Sequence, residues 1–470
     1  MKATREVETK LGVPDGFVSP HLVEVPGVHG AAVRSLRLKA TYWDSADRRL
    51  AREGVTLRHR TGEGRPVWTL KTSSSGGQGL DREEISVPGP GSKVPPALLD
   101  LLVARLRGAE LAPLAVVRTL RASTLLLDAE GTEIAEVVDD LVTVVRDGAT
   151  VDRWHELEVE GRAAGERVVP RVVKVLRRAG ATEVDQTPKG VRALSPPAGP
   201  DLPVAPQIRT AGDLVRSSLA AGLRGIVDQD LAVRRDLPDA VHQMRVACRR
   251  LRSDLRTYAE LLDDPRVEGL RDELRWLGDS LGAARDLEVM IERLHVRAHE
   301  GEGLDVRPIE AILLAEEADA VTRALDALRS PRYVALLQLL HDVASEPRLS
   351  AAADGPPKAV AKLVGRSDRK LDKALHRLHA DSPDGQWHRA RILAKRARYA
   401  AEAASAVLGP TRKRAKKLQT LLGEHQDAVV AADRLLAMAE EHPELAVICA
   451  RLAERERQVA AAIRSSYLSD

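Results

Sequence analysis

Aromatic side chains are scarce in this chain of 470 residues. They make up 2% of it, with a single Phe, so the cores must be built from Leu, Val and Ala. Aliphatic cores of this kind suit helical packing better than aromatic-rich sandwiches. Proteins that stack single-stranded bases need aromatic platforms, so the composition argues against nucleic acid as a partner.

Cysteines and long apolar runs are also nearly absent. Cys248 and Cys449 fit neither a metal-ligand spacing nor a disulfide framework, which favours a reducing compartment. No stretch approaches 18 uninterrupted apolar residues, and the opening "MKATREVETK" has no apolar signal core. We therefore expect a cytoplasmic protein with no membrane segment.

The net charge of +3 conceals 72 basic and 69 acidic residues. Any anion-binding surface must therefore come from local clustering of charge and not from the global balance.

The first 190 residues consist of short alternating segments separated by Gly and Pro. Examples are "EVETKL", "VTLRHR", "VWTLKT", "DREEISVP", "STLLLD", "EIAEVVDD" and "WHELEVEG". Alternation with period two predicts a mainly antiparallel β domain. Helical insertions are predicted near 95–107 and 163–179, so this half is an α+β domain.

A proline-rich stretch, "SPPAGPDLPVAPQ" at 195–207, ends the alternating pattern. Five prolines neither continue a helix nor pair in a sheet. Beyond it, apolar residues recur every three or four positions, which predicts an all-α domain. We expect a β domain at 1–195, a linker at 196–207 and a helical domain at 208–470.

The helical half contains an internal repeat. "AVHQMRVACRRLRSDL" (240–255) resembles "QWHRARILAKRARYAA" (386–401), and "RDELRWLGDSLGAARD" (271–286) resembles "RKRAKKLQTLLGEHQD" (412–427). We expect two similar bundles of about four helices each, at about 208–345 and 355–470.

At least six predicted strands carry charge on one face and apolar residues on the other. The charged positions are Glu6, Glu8 and Lys10; Arg58 and Arg60; Lys71; Arg82 and Glu84; Glu136 and Asp140; and Glu156, Glu158 and Glu160. A flat sheet would expose such a face to water, whereas a barrel of about eight strands would enclose it. Inside a lumen, these charges would need a charged ligand and metal ions as partners.

The charged strand faces carry both acidic and basic residues, and this mixture indicates the chemical class of the ligand. Carboxylates at i, i+2 spacing offer oxygen ligands for Mg²⁺ or Mn²⁺, and Lys and Arg donate to a linear polyanion. Both together favour a metal-bound phosphate chain and phosphoryl transfer.

The ordered set of motifs resembles the CYTH domain of the triphosphate tunnel metalloenzymes over about 1–195. It comprises the E-x-E-x-K opening, the paired arginines, "WTLK", the alternating glutamates and "TPKGVRAL". The resemblance implies an eight-stranded antiparallel tunnel that binds an inorganic or organic triphosphate. Tripolyphosphate, thiamine triphosphate and ATP remain open as substrates.

The resemblance also implies residue roles. Glu6, Glu8, Glu156 and Glu158 would bind the metal, with Glu136 and Asp140 as additional acids. Phosphate oxygens would be held by Lys10, Arg58, Arg60, Lys71, Arg82, Arg121 and Lys189. One of Glu156, Glu158 and Glu160 would position the attacking water.

Two helices of the second half carry basic stripes. The first contains His242, Arg245, Arg249, Arg252 and Arg256, and the second contains His388, Arg391, Lys395 and Arg398. Asp254 is the only acid within 242–256, and 387–399 has none, so we expect an anion in place of i, i+4 salt bridges. Arg271, Arg275, Arg285, Arg412 and Lys416 would extend the same surface. Whether the two histidines bind or merely pack is left open.

The pattern H-x-x-R-[VI] followed by L-G-x-x-R-D resembles the CHAD domain over about 208–470. This resemblance implies a two-bundle helical domain that binds inorganic polyphosphate. The second copy has Gln426 where the first has Arg285. Asp286 and Asp427 are expected to orient basic side chains.

Together the halves predict a metal-dependent triphosphatase joined to a polyphosphate-binding module, with association to polyphosphate granules as a further expectation. Two alternatives remain: a non-catalytic polyphosphate-binding or granule-associated protein, and an adenylate cyclase.

Overall fold

The computed structural model describes residues 2–6, 8–14, 16–73, 82–162, 167–184, 187–299, 304–379, 381–410 and 413–469. For 2–6, 8, 73, 82, 413–415, 468 and 469 it describes the backbone alone. The chain divides into two compact units, Met1–Asp201 and Leu202–Asp470, and this division falls within the predicted linker. Within the described ranges, no helix combines the length and apolar character needed to span a bilayer.

One antiparallel sheet forms the first unit. Its strands are β1 (Lys2–Glu6), β2 (Glu8–Gly12), β3 (Gly30–Asp44), β4 (Thr56–Thr61), β5 (Val67–Ser73), β6 (Arg82–Pro88), β7 (Ala112–Leu127), β8 (Glu133–Arg146), β9 (Ala149–Gly161) and β10 (Thr182–Glu183). Their order in the sheet is β1-β6-β5-β4-β3-β7-β8-β9-β2-β10. The predicted antiparallel β architecture is confirmed.

The N-terminal segment differs from the prediction of a single strand over "EVETKL". β1 ends at Glu6, opposite Arg82 of β6, and β2 begins at Glu8, opposite Glu160 of β9. Because β1 and β2 are almost continuous, they bring the β6 and β9 ends of the sheet together, which makes the sheet tunnel-like. The described sheet has ten strands in an open order, not eight, since the first predicted strand is divided and β10 is added.

The described part of this unit has five short helices: α1 (Arg49–Arg52), α2 (Pro96–Asp100), α3 (Val103–Leu106), α4 (Val169–Arg178) and α5 (Lys189–Leu194). α2 and α3 fall in the first predicted insertion and α4 in the second, of which 163–166 lie outside the described residues. α1 and α5 were not predicted.

The two faces of the sheet have different partners. On the outer face, Leu157 and Val159 of β9 pack with Val172 and Leu176 of α4. The alternate residues of the same strands face inward. Toward one end the inner face is apolar, and there Val142 and the neighbouring β3 and β7 residues pack with Leu194 of α5. The charged stretch of the inner face therefore lies beside the start of α5.

The second unit is helical, as predicted. Its helices are α6 (Ala211–Arg234), α7 (Ala240–Thr257), α8 (Arg266–Ser280), α9 (Gly282–His299), α10 (Arg307–Arg329), α11 (Pro331–Ser345), α12 (Ala361–Leu375), α13 (Asp384–Ala403), α14 (Ser405–Leu408), α15 (Lys413–Glu441) and α16 (Ala446–Ser469). Short 3₁₀ turns lie at Leu22–Glu24 in the first unit and at Ala259–Leu261, Ala351–Asp354, Pro357–Val360 and Pro443–Leu445 in the second.

The repeated segments lie on corresponding helices, α7 and α13. The first bundle has six helices in its described part where about four were expected. One reason is that α8 and α9 are separated at Leu281, whereas the second copy continues as the single helix α15. At the break, Arg245 Nη1 donates to the Gly282 carbonyl at 2.6 Å. α7 and α13 pack against each other, and Arg249 Nε donates to the Tyr399 hydroxyl at 2.7 Å.

Candidate active site and basic helix pair

A polar cavity of about 260 Å³ lies on the inner face of the sheet. Its basic lining residues are Lys10, Arg34, Arg58, Arg60, Lys71, Arg121, Arg162 and Lys189, and its acidic ones are Glu63, Glu84, Glu136, Glu158 and Glu160. Strands β2 to β9 and the first turn of α5 all contribute. Among the side chains that the structure describes, eight bases against five acids give the lining an excess of positive charge, which suits an anionic ligand.

Lys189, the first residue of α5, lies among three carboxylates. Its Nζ is 2.9 Å from Glu156 Oε1 and 3.3 Å from Glu158 Oε1, and it forms an ion pair with Asp140. Burial alone would lower the pKa of Lys189, but the carboxylates of Glu158, Asp140 and Glu156 hold it above its ordinary value. Lys189 is therefore a permanent cation at the base of the cavity.

Glu158 is surrounded by cations. Lys10 Nζ lies 3.4 Å from Oε1 and Arg121 Nη2 lies 3.5 Å from Oε2, in addition to Lys189. Burial raises the pKa of Glu158, but Lys189, Lys10 and Arg121 outweigh burial and hold this pKa well below its usual range. Glu158 thus stays ionised at neutral pH, and it suits the role of a charged ligand and not that of a general acid.

Asp140 is fully buried and holds Arg121 in a bidentate pair. Arg121 Nε donates to Oδ1 at 2.8 Å, and Nη2 donates to Oδ2 at 2.7 Å. Burial lowers the pKa of Arg121, but the hydrogen bond and charge of Asp140 raise it above its ordinary value. The guanidinium is thereby fixed in the wall of the cavity.

Glu136 and Glu156 also accept hydrogen bonds from neighbouring side chains. Ser123 and Arg162 donate to Glu136, and Trp154 Nε1 donates to Glu156 Oε2 at 2.8 Å. Burial raises the pKa of Glu136, but the bonds from Ser123 and Arg162 bring it below its ordinary value. Both carboxylates are therefore fixed in position by the protein.

The metal ligands predicted from sequence are only partly described. Among the described residues, no three Asp, Glu, His or Cys side chains are arranged as a metal site. The side chains of Glu6 and Glu8 lie outside the described part of the chain. Glu136, Asp140, Glu156 and Glu158 are all on the inner face of β8 and β9, and each has a Lys or Arg partner.

The opposite wall presents the predicted arginines. Lys71 Nζ lies 2.8 Å from Glu84 Oε2, and Arg60 Nη2 lies 3.4 Å from Glu63 Oε2. Burial and the nearby Arg58 lower the pKa of Arg60. Crowded cations of this kind favour the arrival of an anion. Arg82, the remaining predicted contact, has its side chain outside the described part.

Sequence reasoning missed Arg34, Glu63 and Arg162. Arg34 lies on β3, which was not recognised as a strand although Arg34, Leu36, Leu38 and Ala40 alternate with polar residues. Glu63 is in the β4–β5 turn and Arg162 directly follows β9, where alternation no longer applies. Arg34 was therefore detectable from the pattern, and the other two were not.

In the helical unit, the stripes of α7 and α13 face each other. We call Arg245, Arg249, Arg391 and Lys395 the inter-repeat basic cluster. Burial, followed by the charges of Arg391 and Arg249, lowers the pKa of Lys395 to about 7. Burial and Arg249 likewise lower the pKa of Arg391, against the effect of Asp427. The two predicted stripes thus form one surface.

Two aspartates at corresponding positions anchor this cluster. Arg245 Nη1 lies 3.1 Å from Asp286 Oδ1, and Arg391 Nη2 lies 3.0 Å from Asp427 Oδ1. The predicted orienting role agrees with these contacts. In the second repeat, Gln426 occupies the position that corresponds to Arg285 of the first. Its Oε1 lies 2.7 Å from Nδ1 of His388.

His242, the counterpart of His388 in the first repeat, has a cationic neighbour instead. Burial and the charge of Arg285 lower the pKa of His242. His242 is therefore neutral at pH 7.

Other members of the predicted stripes have acidic partners. Arg398 Nε donates to Glu402 Oε1 on the same helix at 2.5 Å, so the expectation that the second stripe lacks an acid on its own helix is wrong at this position. Glu402 lies three residues beyond the acid-free segment 387–399. Arg271 and Arg285 also have acidic partners on their own helices, Glu268 and Glu288, at i, i+3 spacing.

The remaining predicted residues are less tightly grouped. Burial, then the charge of Arg275, lowers the pKa of Arg252, and Arg256 borders a small cavity with Arg396. Lys416 is exposed beside Lys417 and Glu424. Arg412 lies outside the described residues.

Comparisons with known proteins cover both units. A family model described as CYTH domain matches residues 4–191, and one described as CHAD domain matches residues 217–436. The uncharacterized protein Rv2226 of Mycobacterium tuberculosis is 32% identical over 466 residues, covering 92% of this chain and 88% of that protein.

Two solved structures are similar to parts of the chain. PptA from Streptomyces chartreusis covers 56% of this chain and 99% of its own, with 26% identity and a TM-score of 0.49. HpAC1 from Hippeastrum, a putative adenylyl cyclase described as having a dominant triphosphatase activity, covers 40% of this chain and 95% of its own, with 19% identity and a TM-score of 0.28.

Replacing Lys189 with Met should destabilise the first unit in a pH-dependent way. Without the ammonium, three carboxylates lose a shared buried counter-charge. The pKa of Glu158 rises from its lowered value because Lys189 is the largest charge that lowers it, so the loss of stability is greatest where Glu158 is ionised and becomes smaller as pH falls. At pH 8 we expect a loss of about 3–5 kcal/mol, as for other broken buried ion pairs. At pH 5.5 the loss should be smaller. Calorimetric unfolding of the full chain measures the loss of stability at each of the two pH values.

The matched control is Arg192→Met on the same helix, whose partner Asp152 is partly exposed. Its loss should be about 1 kcal/mol or less. Equal destabilisation of the Lys189 variant at the two pH values would contradict the assigned charge network.

Proposed function

Because the chain belongs to the proteins that join an N-terminal CYTH domain to a C-terminal CHAD domain, we propose a function for each unit. The first unit hydrolyses a phosphoanhydride bond of a triphosphate with the help of a divalent metal ion. The second binds inorganic polyphosphate. The observation that carries the first proposal is the cavity with eight converging Lys and Arg side chains.

Phosphate recognition in the cavity would rest on two walls. Arg58, Arg60 and Lys71 come from β4 and β5, and Lys10 and Arg121 come from β2 and β7 on the other side. Charge-assisted bonds from guanidinium and ammonium groups are well suited to the oxygens of a triphosphate. Asp140 keeps Arg121 in place, so this donor is preorganised before substrate arrives.

The acids of the cavity fit Mg²⁺ or Mn²⁺ by donor type, since carboxylate oxygens are the ligands that these ions prefer. Glu156 and Glu158, together with Glu6 and Glu8, would hold the ion. When bound, such an ion neutralises phosphate charge and activates water. Glu160 also lines the cavity, and in this proposal it would orient that water.

The polyphosphate proposal rests on the inter-repeat basic cluster. Arg245, Arg249, Arg391 and Lys395 come from two repeats and meet on one surface. A repeating linear anion can contact such a row through its phosphates alone, without the aromatic stacking that bases need. The linkage of the two units would raise the local concentration of phosphate chains near the tunnel.

The tunnel proposal predicts phosphate release that depends on Glu158. With Mg²⁺ or Mn²⁺, the full chain should release phosphate from at least one of tripolyphosphate, thiamine triphosphate and ATP. Glu158→Gln should lower this rate about 10²-fold or more, because it removes a charge from the reacting site. Cyclic AMP formation is measured in the same reactions.

The control for this assay is Glu183→Gln, since Glu183 is exposed and lies on β10 away from the cavity lining. It should keep the wild-type rate. Failure to release phosphate from every substrate would contradict the enzymatic proposal and favour a binding protein. Cyclic AMP as the main product would favour a cyclase.

Charge reversal at Arg245 and Arg391 together should weaken polyphosphate binding by about tenfold or more, because each phosphate contact is charge-assisted. The double variant Arg307→Glu/Arg329→Glu changes the net charge equally on the exposed side of α10 and should bind normally. Retention on immobilised polyphosphate measures the binding of both double variants. Unchanged retention of the first variant would place the site elsewhere.

Polyphosphate affinity should also fall as pH rises from 6.5 to 8.5. An anion stabilises the ammonium form of Lys395, whose pKa is about 7, so binding takes up a proton and weakens by up to about tenfold above that pH. Lys395→Arg keeps its charge and should flatten the profile. An identical pH profile for the two proteins would exclude Lys395 from the site.

A further inference from the structure

The helical unit contains a second cavity that neither proposal uses. It has a volume of about 430 Å³ and lies between α6, α7 and the α13–α14 segment. Small residues of α6, including Ser218, Ala221, Gly222 and Gly225, form one wall, and Leu251 of α7 contributes an apolar surface. A Cβ at position 222 would come within 2.7 Å of Leu251, so the glycine permits this close approach of the helices.

A buried carboxylate, Asp254, faces this cavity from α7. The residue is 4% exposed, and its Oδ1 has no hydrogen-bond partner among the described residues. Burial raises the pKa of Asp254 to about 7, although the Arg250 charge and the Ser218 hydroxyl oppose this rise. A buried acceptor without a donor is unfavourable. Asp254 Oδ1 therefore has acceptor capacity that a donor in the cavity would use.

The other charged groups around the cavity define what that donor is. Glu402 of α13 lines the same cavity, but its carboxylate already accepts the Arg398 Nε at 2.5 Å. Arg250 lies one turn before Asp254 on α7 and is exposed. Asp254 is thus the buried carboxylate of the cavity with an unpartnered oxygen, and it lies among apolar surfaces. A positive group on an apolar body would match both features.

We propose that this cavity binds a small aliphatic amine, whose ammonium group donates to Asp254 Oδ1 while its carbon chain packs against Ala221, Gly222 and Leu251. An ammonium supplies three donors, which can serve Asp254 and the Ser218 hydroxyl together. Free alkylamines and aliphatic amino acids share this chemistry. An amino acid would add a carboxylate within reach of Arg250.

Calorimetric titration of the full chain with n-pentylamine, L-leucine and n-pentanol tests the proposal. We expect the amine to bind, and tighter binding of leucine would identify an amino acid as the natural source. The alcohol has the same chain but no charge and should bind at least about tenfold more weakly. Absence of binding by both amines, or equal binding by the alcohol, would overturn the proposal.

Two variants distinguish the contribution of the Asp254 charge to binding from that of the cavity volume. Asp254→Asn keeps the shape and should reduce amine affinity at least about tenfold, whereas Ala221→Leu fills the cavity and should abolish binding with Asp254 intact. Asp326→Asn, an exposed change on α10, should bind as the wild type does. Unfolding curves verify the fold of each variant. Wild-type affinity in a folded Asp254→Asn variant would overturn the proposal.

Amine binding should also strengthen from pH 6 to pH 8 in the wild type, since Asp254 must ionise to hold a cation. The nearby Tyr258 does not titrate in this range, because burial and Asp254 raise its pKa above the ordinary value. In the Asp254→Asn variant this pH dependence should disappear. A pH dependence that persists there would contradict the role of Asp254.

Discussion

The ion-pair network around Lys189 is the interaction on which the first unit depends. Three carboxylates on two neighbouring strands, Asp140, Glu156 and Glu158, share this one ammonium group, and Lys10 and Arg121 complete the charge balance. Without these cations, so many carboxylates would repel one another on the inner face of a sheet. The network therefore allows a charged surface to exist inside the fold, and it holds Lys10, Arg121 and Lys189 at the cavity, where we propose that phosphate oxygens bind.

In the helical unit, too, like charges are crowded together and residues of opposite charge hold them in position. Its cations also crowd together, and here one aspartate per repeat, Asp286 or Asp427, anchors one arginine of the inter-repeat basic cluster. Burial and the remaining cations, Arg391 and Arg249, lower the pKa of Lys395, and we propose that a polyanion neutralises this cluster. The near-zero net charge of the chain thus conceals two concentrated basic surfaces, one arranged by buried carboxylates and the other by the exposed Asp286 and the half-buried Asp427.

Much of this arrangement follows from periodicity in the sequence. Alternation in "HELEVEG" and "VTLRHR" correctly separated inward charges from outward apolar residues, because side-chain direction is a local property of a strand. Pairing is not local, and so the division of "EVETKL" between β6 and β9 was missed. Likewise, helical spacing predicted both basic stripes, but only tertiary packing shows that α7 and α13 face each other. The Arg398–Glu402 pair is local to α13 at i, i+4 spacing, so the sequence could have predicted it.

The central claim is that the inner, charged face of the sheet binds a triphosphate. Arg58 and Arg60 line the cavity, whereas Arg37 and Lys39 on the neighbouring strand β3 have the same i, i+2 spacing and are exposed. Calorimetric titration with tripolyphosphate and Mg²⁺ compares the two pairs directly. Arg58→Ala/Arg60→Ala should lose most of the binding, and Arg37→Ala/Lys39→Ala should retain it. Equal affinities in the two double variants would contradict the account.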